Sequence, residues 1–180
     1  MFKTLLKKKI TEEKLANIFV NGIIDLVDSA FPEVAALINE DSEYAVSPRI
    51  QVDNSDKFLL IVIAGNLKYI PTHFEIYQDI RMQNQIYRKL SIALGLDLEI
   101  VKRVIGKYQN FCSQMNHPSK NTLYAMSKGV FFKYELTQYQ DDYFKGMNCP
   151  NPVFLKRLDE IMLNFIWDWD AYLGKYRVVE

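Results

Sequence analysis

At 180 residues the chain is long enough for one domain with a proper hydrophobic core. Its 49% hydrophobic and 24% charged residues form an ordinary globular mixture, which argues against a disordered chain or a membrane-embedded bundle. The 22 basic and 22 acidic side chains cancel, so the basic excess that neutralises phosphates is missing and nucleic acid is not an expected partner.

The N-terminal residues 1–10 carry the one dense basic run, Lys7-Lys8-Lys9 with Lys3, and read as a solvated, frayed end. They do not form a secretory leader, because Thr11, Glu12, Glu13 and Lys14 interrupt any hydrophobic stretch. The most apolar run, Phe58 to Ala64, is far shorter than the roughly twenty residues of a membrane span, so none is expected. The two cysteines are too few for a disulfide framework, and the expected location is cytoplasmic.

Thr11 is placed to cap a first helix reaching about Ala30, with Ala16, Phe19, Ile23, Leu26 and Ala30 facing inward. Phe31-Pro32 is expected to end it, and Pro32 to open a short second helix through Asn39. Residues 40–57 are polar and aperiodic and read as a long loop. The run Phe58 to Ile70 reads as a buried helix. The alternative is a strand pair over residues 49–64, which with a strand at residues 130–137 would make a small antiparallel sheet.

Thr72-His73-Phe74-Glu75 has the spacing of a capping box, predicting a helix that runs to Leu94 and stops at Gly95. Asp97 caps the next, whose stripe is Leu98, Val101, Ile105, Tyr108, Cys112 and Met115, and Asn116-His117-Pro118-Ser119 terminates it. Asn121 to Lys128 is helical in pattern, whereas Phe132, Tyr134 and Leu136 alternate like a strand. Asp141 to Pro150 is turn-rich.

From Leu155 the residues Leu158, Met162, Phe165, Trp169, Tyr172 and Tyr176 follow at steps of three and four, predicting one long C-terminal helix. Asn151 is its N-cap, and Pro152 its first residue. The expected architecture is therefore mostly α, a single domain over residues 1–180 with five to seven packed helices, or α+β if both strand patterns form.

Residues that could carry chemistry are few. His73 and His117 are the only histidines, and neither has the Glu-x-x-His or His-x-x-x-His spacing that points metal ligands to one helix face. His73, Glu75 and Asp79 are close in sequence, but the cap occupies Glu75. Asp25 and Asp28 lie one turn apart and read as the wet side of their helix. Cys112 falls on an apolar stripe, where burial disfavours the thiolate a nucleophile needs. Asp141, Asp142, Asp168 and Asp170 read as solvated acids, and no phosphate-cradling glycine loop occurs. No catalytic residue, metal ligand or cofactor is assigned, and the chain leans away from enzyme function.

The lead for function is Leu163 and Trp167, four apart on the C-terminal helix and opposite its main stripe. A second apolar face with a Trp suits an interface with another protein, or with a second copy of the chain. The expected function is a non-catalytic interaction or assembly module that self-associates through Leu163 and Trp167. The alternative is a helical pocket for a small, largely apolar ligand, lined by Tyr and Phe and covered by the 40–57 loop.

Overall fold

The computed structural model describes residues 7–180. The fold is mostly α, with eight α-helices and one two-stranded sheet among the described residues. Of the basic N-terminal segment, residues 1–6 lie outside the described residues. The rest is not frayed: Lys8–Thr11 forms β1, and Lys7 Nζ donates to the carbonyl of Leu173 at 2.6 Å. The partner strand β2 is Tyr176–Val179, in parallel register from Lys8 opposite Tyr176 to Thr11 opposite Val179.

Helix α1, Glu12–Asn39, begins where expected, with Thr11 Oγ1 accepting from Lys14 N–H and two glutamates favouring the positive end of the helix dipole. It does not end at Pro32. The proline sits on the exposed side while the stripe Val27, Phe31, Val34, Ala35 and Ile38 stays buried, so core packing carries the helix through its missing hydrogen bond.

The 49–64 segment is not a strand pair: it enters α2, Asp56–His73, in which every residue from Ile61 to Leu67 is buried. A helix buried all round must lie at the centre, and α2 packs against α1 as well as α3, Gln78–Leu94, α4, Leu98–Met115, and α5, Thr122–Lys133. Its own N-cap, Ser55, makes no side-chain cap bond. The Tyr134 hydroxyl substitutes, accepting from Phe58 N–H at 3.2 Å and donating to Asn54 O at 2.6 Å. That role, and the burial of Val130 and Phe131 in α5, explain why residues 130–137 are helix and a 3-10 turn rather than a strand.

The capping box at Thr72 does not form. Helix α2 continues through Pro71, and the Thr72 hydroxyl donates to Tyr69 O instead. The chain then leaves the helix to bury Phe74 edge-on against Trp169, ring centroids 5.2 Å apart, and α3 starts only after Tyr77. Gly95, left-handed at φ 63°, ends α3 as expected, and Asp97 caps α4 through Glu99 and Ile100 N–H.

The turn-rich connection holds a short helix, α6, Asp142–Met147, before α7, Pro152–Leu163, which Asn151 caps as expected. The single C-terminal helix is instead α7 and α8, Trp169–Lys175, followed by β2. Of the stripe, Leu158, Met162, Phe165 and Trp169 are nevertheless buried while Leu155, Tyr172 and Tyr176 are half-buried, so it names four core residues although the helix that carries it breaks. No described helix is long and apolar enough to cross a membrane.

Candidate functional site

The best-formed hollow lies among α2, α4 and α5 and measures about 420 Å³. Each helix turns residues toward it at helical spacing: Ala64, Gly65 and Lys68 from α2, Gln109, Cys112 and Ser113 from α4, Thr122, Ala125 and Met126 from α5. The 116–121 loop closes one end.

Small side chains make the space. Helices α2 and α5 meet where Met126 lies over Gly65, since a Cβ there would fall inside the Met126 side chain. Helices α4 and α5 meet where Gly129 faces Cys112, whose Sγ would be 2.6 Å from an added Cβ. Beyond these close approaches the facing positions are Ala64, Ser113 and Ala125, too short to fill the gap between three packed helices.

The loop end is fixed by its own hydrogen bonds. Asn116, 1% exposed, donates from Nδ2 to Asn121 O at 3.0 Å, and its Oδ1 has no partner. Ser119 N–H donates to Asn116 O, Asn121 N–H to Ser119 Oγ, and Asn121 Oδ1 caps α5 by accepting from Tyr124 N–H. Gln109 Nε2 ties α4 to α2 through Ala64 O at 3.2 Å. Burial pushes the Cys112 thiol up to about 11, so at neutral pH it is an apolar wall group rather than a nucleophile.

The residues singled out for an interface are brought together elsewhere, on a second hollow of about 490 Å³ beside Asn121. Leu163, 57% exposed, stands on its lining with Trp167, Tyr69 and His73. Trp167 is half-buried: its ring stacks on Tyr172 at 5.1 Å, meets Phe19 edge-on at 5.4 Å and covers Gly22. It is therefore committed largely to internal packing, and Leu163 is the free member of the pair.

His73 pairs with Asp170, Nδ1 to Oδ1 3.2 Å, and not with Glu75 or Asp79. Asp25 and Asp28 are exposed, and Asp141 and Asp168 cap α6 and α8. Among the described residues no group of three potential metal ligands converges.

Among the described residues, no Phe, Tyr or Trp and none of residues 40–57 is on the lining of the α2–α4–α5 hollow. The rings pack on one another in the core, as Phe58 does on Phe31 and Phe165. The loop is pinned by Asn39 to both backbone groups of Ile50 and by Arg157 to Asp41. Sequence reasoning missed Ala64, Gly65, Lys68, Asn116 and Lys120. The available signal was the small pair Ala64-Gly65 within the most apolar run of the chain, which marks a close approach or a gap. No known protein family matches the sequence, and no curated protein or solved structure is similar to it.

Proposed function

We propose that the chain is a binding module for a small, largely apolar ligand, held in the hollow among α2, α4 and α5. The observation that carries this is the hollow itself: about 420 Å³ with an apolar wall of Ala64, Gly65, Ala125 and Met126, and polar groups contributed by α2, α4, α5 and the 116–121 loop. Ligand pockets occupy about 300–1,000 Å³ and combine these two kinds of lining. Methyl NMR of Met126 and Ala125 during titration with small amphiphiles tests it. Saturable shifts in the parent, lost in an Ala125→Leu variant that fills the space, support the reading. Shifts that survive in the filled variant refute it.

Self-association through Leu163 and Trp167 is the second reading, favoured by the exposure of Leu163 beside a hollow. Leu163→Asp is the cleaner probe, because Trp167 also packs internally. A concentrated sample that sediments as a dimer in the parent and as a monomer in this variant supports it. A parent that is strictly monomeric removes it.

A further inference from the structure

We infer that the ligand of the α2–α4–α5 hollow is an organic anion, an apolar body ending in a carboxylate. This rests on the hollow being a ligand site, as proposed above, and adds the charge and orientation of what enters.

The charges on the lining have one sign. Lys68 and Lys120 both border the hollow, and no Asp or Glu does. In a chain whose acids and bases are equal in number, such a segregated lining creates a local positive field within an otherwise neutral molecule. Neither lysine is in an ion pair among the described residues, although Lys89, Lys102 and Lys145 are. A carboxylate arriving there meets two ammonium groups without displacing an existing partner.

The lining also carries an apolar patch beside the lysines. Met126, Ala64 and Gly65 form the inner wall where α2 and α5 touch. Lys120, His117 and the start of α5 lie toward the loop. In the first turn of α5, Asn121 Oδ1 accepts only Tyr124 N–H, so among the described residues the N–H groups of Thr122, on the lining, and of Leu123 behind it have no protein acceptor. Those unpaired donors sit at the positive end of a 12-residue helix and add to the lysine field. The lining would hold an amphiphile with its carboxylate at Lys68, Lys120 and the α5 terminus and its tail against Ala64, Gly65, Ala125 and Met126.

The experiment compares octanoate with octanamide, its uncharged counterpart, by calorimetry and by the Met126 and Ala125 methyl signals. Octanoate is expected to bind about ten-fold more tightly than octanamide. The double variant Lys68→Gln/Lys120→Gln should bring the two within about two-fold of each other. Both lysines are exposed, so the fold should survive and circular dichroism can verify it. Equal binding of the two probes by the parent overturns the anion inference and leaves the pocket reading standing. An octanoate preference that persists in the double variant overturns the assignment to these lysines. If neither probe shifts the Met126 and Ala125 methyls, both readings fall.

Discussion

Asn66 Oδ1 accepts the backbone N–H of Trp167 at 2.7 Å, while its Nδ2 donates to Phe165 O at 2.8 Å. One fully buried amide on α2 thus satisfies the two backbone groups exposed where α7 gives way to α8. Without it, breaking the helix inside the core would strand a donor and an acceptor, which is why the break is found at Asn66.

Asn66→Leu keeps the volume and removes both partners. Each buried backbone group left unpaired costs about 1–3 kcal/mol, so a loss of about 2–6 kcal/mol is expected in urea unfolding. A change below about 1 kcal/mol would mean that the linker finds other partners and that Asn66 does not hold it.

Gly22 on α1 gives the Trp167 ring its place. A Cβ at residue 22 would lie 2.6 Å from Cη2 of that ring, which the Asn66 bond and the Tyr172 stack hold from the other sides. Gly22→Ala should push the indole outward, shift its fluorescence to the red and cost about 1–3 kcal/mol. Unchanged emission would show that the ring has room to move.

Pro32 interrupts α1 on its exposed side without ending it. An alanine there regains the N–H donated to Asp28 O and relieves the clash of the pyrrolidine ring. Pro32→Ala should therefore stabilise the protein by about 1–3 kcal/mol, seen as a raised Tm. A lowered Tm would indicate that the proline is needed to align the two halves of the buried stripe.

Burial raises the Cys112 thiol from 9.0 to about 11. The folded state therefore keeps a proton that the unfolded chain releases, and stability falls as pH rises from about 9 to 11. The full loss is about 2–3 kcal/mol. Tyr44 and Tyr134 are also pushed up by burial and contribute from about pH 10 upward, so the measurement is the difference between parent and Cys112→Ala. That difference should be flat below pH 8 and shrink through pH 9–11; a constant difference would contradict the buried thiol.

Much of the fold was legible because its determinants are local. Thr11, Asp97 and Asn151 cap helices through N–H groups two or three residues away, and Gly95 ends α3 by its own left-handed backbone. The burial of Leu158, Met162, Phe165 and Trp169 follows from their spacing alone. Thr72 and Pro32 mislead for the opposite reason. Their local signals are real but weak, worth about 1–3 kcal/mol, and the burial of Phe74, Phe31 and Val34 outweighs them.

The sequence by itself determined a mostly helical chain, several helix starts and stops, and many of the large side chains that enter the core. Each depends on contacts within one or two turns. Only the tertiary structure decided the break between α7 and α8, because the amide that permits it lies 99 residues from Phe165 and 101 from Trp167. It alone decided the hollow as well: Ala64, Ser113 and Ala125 enclose space only where three helices bring them face to face. The gathering of Lys68 and Lys120 onto a lining without carboxylates has the same origin, since chain order cannot say which charges share a surface.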